Sequence, residues 1–298
     1  MIYDNFFKKN RPDISISTIK SYSATIRGLM KKTNIMIETP QDIIKNIDAV
    51  IEAYKDVKYN SRKTHISALI SFIDDNSDES RVAVNKLRKI MIEDIGLYNK
   101  FIDSQEKSDS QKSNWVEWDD VIKRYQSFEK EVIPLWKLLP EELSKNNFNK
   151  LKMFVLLSCY ILIPPRRSLD YVGFKIREIN ITKDNYMKGR KFIFNTYKTS
   201  STYGLTEVDI SQKLYSIIKK WTVINQSDYL ITGNNDKIKP ISSPQLTNML
   251  NSFFDKRVSV NILRHSFLTH LYKDLPDLKN IAKDMGHEVS TALEYVKK

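Results

Sequence analysis

Apolar side chains recur at intervals of three and four through most of the first hundred positions. In SISTIKSYSATIRGLMKK the recurring residues are Ile19, Tyr22, Ile26 and Leu29. They form one stripe of a helix at 3.6 residues per turn, with Ser17 or Thr18 as the N-cap. ETPQDIIKNIDAVIEAYK and SRKTHISALISFIDD carry the same period, and SDESRVAVNKLRKIMIEDIGLYNKF makes a fourth helical stretch. The pattern predicts a helical bundle over residues 1–102. It stops in FIDSQEKSDSQKSNW, where residues 103–114 are nearly all polar, the composition of a linker or an exposed loop. A second domain, 115–298, follows.

That domain opens with helical periodicity near 116–130 and 147–163 and then changes period. KFIFNTYKTSSTYGLTEVDIS alternates and is rich in β-branched and aromatic residues on both sides of a polar turn, TSSTYG, which predicts a β-hairpin. After SPQLTNMLNSFFD the helical period returns and runs to the last residue. Within it, NILRHSF places Asn261, Arg264 and His265 on one helical face and Leu263, Phe267 and Leu271 on another. The arginine on such a helix calls for a partner: a carboxylate such as Asp170 or Asp284, or a phosphate held in the planar two-pronged way a guanidinium allows. There is no internal repeat. The expected fold is mainly α with a small β-sheet or hairpin: a helical N-terminal domain and an α+β C-terminal domain.

Composition narrows the function classes. The 298 residues are 41% hydrophobic and 28% charged, and only 7 glycines and 9 prolines interrupt the helical patterning. The single cysteine, Cys159, lies in FVLLSCYILI; it reads as a core residue and excludes both a disulfide framework and a cysteine-based zinc site. That apolar run is too short to span a bilayer, and MIYDNFFKKN lacks the order of a signal peptide, so an intracellular protein without a membrane partner is expected. Net charge is +12, and it is uneven. Residues 1–114 hold 19 Lys and Arg against 16 Asp and Glu, while 115–298 hold 29 against 20. An excess of this size suits a polyanion such as nucleic acid. Abundant Lys, Asn and Ile hint at an AT-rich genome of the kind many viruses and mobile elements have.

Three further stretches carry chemistry. PPRRSLDYVGF sets Arg166 and Arg167 at a helix start, where free N–H groups and the helix dipole favour an anion. Lys198 stands at the edge of the hairpin turn. MGHEVSTALEYVKK contains His287 and, eight residues on, Tyr295. In this order, Arg, hairpin Lys, Arg, His and Tyr, the chain resembles the tyrosine recombinase (phage integrase) family. RSLDYVGF is similar to the family's R-x-S-E-L-x-x-L with Arg167 as the arginine, Asp170 as the acid and Phe174 in the apolar place. The register that uses Arg166 instead puts Leu169 where the acid belongs. LRHSF is similar to L-R-H-T-F, and MGH to L-G-H. Arg264 and His287 are 23 residues apart, within the family's range, while the His-to-Tyr interval of 8 is one short of the commoner spacing. The resemblance is firm over 155–298; residues 1–102 share only size, position and style with the family's core-binding domain.

The resemblance implies a site-specific recombinase that cuts and rejoins duplex DNA through a 3′-phosphotyrosine on Tyr295 and a Holliday junction, acting as a homotetramer on paired sites. Arg167, Arg264 and His287 would hold the phosphate and Lys198 would protonate the leaving 5′-oxygen. The family usually has histidine or lysine at position 261; Asn261 can orient a group there but cannot take up a proton near neutral pH. Arg166, Lys20, Arg27, Arg62 and Lys63 are candidate DNA contacts, each with the alternative of an ordinary solvated charge. No cofactor or metal is implied, and accessory partners are left open. Two rivals share part of the pattern. A type IB topoisomerase has the same five-residue chemistry but a Ser-Lys-x-x-Tyr context, where this chain has TALEY. A DNA-binding relative with weakened catalysis would account for Asn261.

Overall fold

The computed structural model describes residues 3–73, 77–233, 238–272 and 284–286. The chain divides into two compact units, Met1–Ser104 and Gln105–Lys298, and the division falls inside the polar stretch 103–114.

The N-terminal unit is helical: α1 (Asp4–Asn10), α2 (Ile16–Thr33), α3 (Pro40–Lys45), α4 (Ile47–Glu52), α5 (Tyr59–Phe72) and α6 (Asp78–Asp103). The α2 stripe of Ile19, Tyr22, Ile26 and Leu29 is buried, as its spacing predicts. Its cap is Ser15 rather than Ser17 or Thr18. Ser15 is extended, and its hydroxyl accepts from the Thr18 N–H at 3.1 Å, so the helix starts earlier than the apolar pattern does. ETPQDIIKNIDAVIEAYK gives two short helices because Asn46 leaves helical geometry and its side-chain amide donates to the Asp42 carbonyl at 2.8 Å. Phe72, at the end of α5, meets Tyr3, Phe6 and Phe7, and these ring contacts fasten α1 to the bundle core.

The C-terminal unit begins with α7 (Asp109–Asn114), a helical turn inside the expected linker, then α8 (Trp118–Val132) and α9 (Lys145–Ile161). Asn114 accepts from the Arg257 N–H at 3.0 Å, which holds α7 onto the unit. Helix α9 is its spine, buried almost all round from Leu151 to Tyr160, Cys159 included. The rings of Tyr125 on α8 and Phe154 on α9 stack at 5.2 Å, and the Tyr125 hydroxyl is 2.9 Å from that of Ser158. A short helix, α10 (Ser168–Tyr171), precedes an antiparallel sheet of β1 (Tyr186–Lys188), β2 (Lys191–Phe194) and β3 (Thr206–Asp209) in that order.

The expected hairpin is β2–β3, with Phe194 opposite Thr206 and a helical turn, α11 (Ser200–Tyr203), in its connection. Strand β1 is an addition that periodicity in so short a run does not reveal. Lys188 pairs with Lys191, and Gly189 takes the first turn position at φ +57°, where a side chain would be strained. Helices α12 (Gln212–Ile224), α13 (Ser243–Phe254) and α14 (Val260–Tyr272) complete the unit. Arg177 closes the end of α12 by donating to the carbonyls of Thr222, Asn225 and Ser227. A mainly α architecture with one small sheet is thus the observed fold.

Candidate active site

The site gathers where α10, the β2–β3 connection, α14 and the turn 284–286 meet. Pro164 and Pro165 end the preceding chain in extended geometry, and Arg167 is the N-cap of α10. Arg167 is half-buried, and its Nη1 donates to the Gly286 carbonyl at 3.3 Å. Thr199, next to Lys198, donates its hydroxyl to the same carbonyl at 3.3 Å. One oxygen therefore draws together the first arginine, the residue after the hairpin lysine and the residue before His287.

Lys198 is exposed on the β2–β3 connection, whose base is tightly held. The Asn185 amide donates to the carbonyls of Asp170 and Thr196 at 3.0 and 2.7 Å and accepts from the Thr196 N–H at 2.9 Å. The Asn195 amide donates to the carbonyls of Ile181 and Asp184. The Tyr197 hydroxyl, 2.9 Å from both, bonds to the Gly204 carbonyl and the Thr206 hydroxyl. Asn185 and Asn195 hold the base of this connection, and sequence reasoning missed both. Asn185 directly precedes β1, so the signal that would have found it is the unread strand.

Arg264, on α14, is fully buried rather than presented on an open face with Asn261, and His265 beside it is half-buried. Its charge acts on Asp170 and on the Tyr160 phenol. Asp170 is 1% exposed and lies in the field of Arg166, Arg264 and Arg167. Burial pushes its carboxyl above the ordinary range, and the three guanidinium groups oppose that shift. Burial and the neighbouring Asp170 hold the Tyr160 phenol well above its usual value, so it stays protonated. Asn261 is exposed on the first turn of α14.

Two of the candidate DNA contacts are not solvated charges. Arg166 is fully buried: its Nε donates to Asp170 at 2.8 Å, its Nη1 donates to the Asp284 carbonyl, and its plane lies 4.1 Å over the Phe194 ring. Pairing with Asp170 four residues on, plus the aromatic cover, removes it from water. Arg62 gives Nε and Nη2 to Asp94, with the shortest bond at 2.6 Å, and Nη1 to the Lys55 carbonyl. Lys63 sits 3.6 Å from the centroid of the Tyr98 ring. Lys20 and Arg27 are exposed, seven residues or almost two full turns apart on the same face of α2. His287 and Tyr295 lie outside the described residues. Among the described residues, no cluster of His, Cys, Asp or Glu is arranged to hold a metal ion, and no helix is long and apolar enough to cross a membrane.

Three arginines thus lie around Asp170 beside the connection that carries Lys198. Residues 168–298 match the model of the phage integrase family. The matched region begins directly after Arg167 and includes Lys198, Asn261, Arg264, His287 and Tyr295. A crystal structure of XerA recombinase is similar at 16% sequence identity, with 100% of this chain and 93% of that chain covered and a TM-score of 0.44. A search of curated proteins finds none that matches.

Proposed function

We propose that the chain is a site-specific DNA recombinase of the integrase type, and that it breaks and rejoins strands through Tyr295. The observation that carries this reading is the Gly286 carbonyl shared by Arg167 and Thr199, inside a domain whose family handles DNA strand exchange. Arg167 and Arg264 hold the non-bridging oxygens of the scissile phosphate as charge gathers there, and His287 adds a hydrogen bond. The Tyr295 oxygen attacks phosphorus, the bond to the 5′-oxygen breaks, and Lys198 gives that oxygen a proton. The phosphotyrosine stores the bond energy, and attack by another 5′-hydroxyl reverses the step on a new partner. Four copies on two paired sites would pass through a Holliday junction. Lys20 and Arg27 supply backbone phosphate contacts from the helical N-terminal unit.

The test is a nicked suicide duplex carrying the target site, recovered from the repeats that flank the gene. The protein is expected to stay bound covalently to a 3′-phosphate, with EDTA present, and Tyr295→Phe to bind the same DNA and form no adduct. An adduct with Tyr295→Phe would move the nucleophile elsewhere. Asn261→Ala is expected to slow cleavage modestly and Asn261→His to retain or raise it. General relaxation of a supercoiled plasmid that lacks the site would favour a topoisomerase instead.

A further inference from the structure

Two arginines stand side by side where α10 begins, and the first of them, Arg166, is fully buried. We propose that Arg166 is a positioning residue that fastens the turn 284–286 against Arg167 and Thr199. The proposal rests on the strand-exchange reading and deepens it, because that turn leads directly into His287.

The guanidinium touches four separate pieces of the site. Its Nε holds Asp170 on α10 at 2.8 Å, and its Nη1 holds the carbonyl of Asp284. One face covers Phe194 at the end of β2 at 4.1 Å, and Tyr197, the residue before Lys198, lies 5.3 Å from the guanidinium carbon. Its Nη2 faces Gly286 so closely that a Cβ built there would lie 3.1 Å away. Gly286 has φ +74°, so a side chain there would be strained, and its Cβ would push the Arg166 guanidinium aside by a few tenths of an ångström. Met285, between the two fastened residues, is itself fully buried.

Bond lengths show why this third fastening matters. The bonds from Arg167 and Thr199 to the Gly286 carbonyl are both 3.3 Å, at the weak end of the hydrogen-bond range. The bond from Arg166 to the Asp284 carbonyl is charge-assisted like that of Arg167, and it is shorter, with its guanidinium further held by Asp170. It fixes the turn two residues upstream, and the two weaker bonds then align the Gly286 carbonyl. A lysine at 166 could keep its charge beside Asp170 but lacks the planar fork that reaches two acceptors while stacking on a ring.

Arg166→Lys in the full chain is therefore the variant to measure, with Thr199→Val and the double variant beside it. Arg166→Lys is expected to bind site DNA within about twofold of wild type and to cleave at saturating DNA about 10-fold or more slowly, since small misplacements of reacting groups carry costs of this size. Thr199→Val should lose less, and the pair should lose no more than Arg166→Lys alone, because both act through one turn. Wild-type cleavage by Arg166→Lys, or losses that multiply in the double variant, would overturn the proposal. Amide hydrogen exchange without DNA reads the same fastening independently of catalysis. The amides of residues 285 and 286 should exchange about 10-fold faster in Arg166→Lys while those of α9 keep their protection; unchanged exchange at 285 and 286 overturns it. If the wild-type protein forms no adduct, the strand-exchange reading falls and exchange alone decides this one. If Arg166→Lys does not fold, Gly286→Ala takes its place: its Cβ must displace Nη2, and the same exchange result is expected.

Discussion

Each unit of the chain buries a carboxylate against an arginine, and the two pairs are built differently. Arg62 and Asp94 lie 32 residues apart on α5 and α6, with Asp94 fully buried and Arg62 21% exposed at the edge. That pair ties one helix to another, and water still reaches the guanidinium. Arg166 and Asp170 are four residues apart, 0% and 1% exposed. A pair so local closes no loop of the fold, and burying both charges costs about as much as their attraction returns. Its worth must lie in what else the guanidinium holds, which here is the Asp284 carbonyl and the Phe194 ring. An ion pair at a helix interface is an architectural device; one buried within a single turn beside the proposed site points to positioning.

The four tryptophans, Trp115, Trp118, Trp136 and Trp221, all belong to the C-terminal unit, so their fluorescence follows that unit alone while far-ultraviolet circular dichroism follows both. The largest effect is expected for Asp170→Ala, which leaves Arg166 buried without its carboxylate, near Arg167 and Arg264. The fluorescence-detected urea transition should lose about 3–5 kcal/mol. A loss below about 1 kcal/mol would mean that the pair is idle.

Arg62→Met should cost less, about 1–3 kcal/mol, since Arg62 lies at the edge and its removal opens a path for water to Asp94. The loss should appear in circular dichroism with the tryptophan transition unmoved. If fluorescence shifts equally, the two units do not unfold separately, and the comparison between them fails.

Lys152 gives a prediction of opposite sign. It is 2% exposed on α9, its Nζ donates to the Thr232 carbonyl at 3.4 Å, and burial pulls its pKa down to about 8. A native pKa below the unfolded one means that burying the charge costs stability in full below pH about 8. The cost is relieved as pH rises from about 8 towards the unfolded value near ~10.4, where the unfolded chain holds a proton that the native chain has released. Lys152→Met should therefore stabilise the C-terminal unit by about 1–2 kcal/mol at pH 7, with the advantage shrinking towards pH ~10. An advantage that does not change with pH would assign the gain to packing.

The smallest effect belongs to Asp42, half-buried at the start of α3. The N–H groups of Thr39 and Glu38 donate to its carboxylate at 2.9 and 3.0 Å and hold its pKa below the usual range. A lowered native value gives stability that is present above the unfolded pKa and lost as pH falls through the native one. Asp42→Asn should lower the melting temperature of the N-terminal unit by about one or two degrees at neutral pH, and the difference should close below pH ~4. A difference that persists in acid would point away from the charge.

Much of this was legible in the order of residues. The α2 stripe, the β2–β3 hairpin, buried Cys159 and the basic C-terminal half follow from side-chain period and composition, because burial selects apolar residues at the repeat of each backbone. The Ser15 cap and the break at Asn46 were not legible, since each depends on one side chain finding one backbone group. Strand β1 was hidden because three residues are too few to show a period.

The sequence by itself determined the order and spacing of Arg167, Lys198, Arg264, His287 and Tyr295, on which the resemblance to a strand-exchange family rests. Only the tertiary structure decided what the neighbours of those residues do. Arg166 and Arg167 are adjacent and chemically identical, yet one is sealed between Asp170, Phe194 and the Asp284 carbonyl while the other reaches Gly286 from the cap of α10. Consecutive residues at a helix start point in different directions, and each of these two meets a carbonyl from the turn 284–286, more than a hundred positions away. An arginine's charge is written in its codon; whether that charge meets water, a carboxylate or a carbonyl depends on where the rest of the chain has folded.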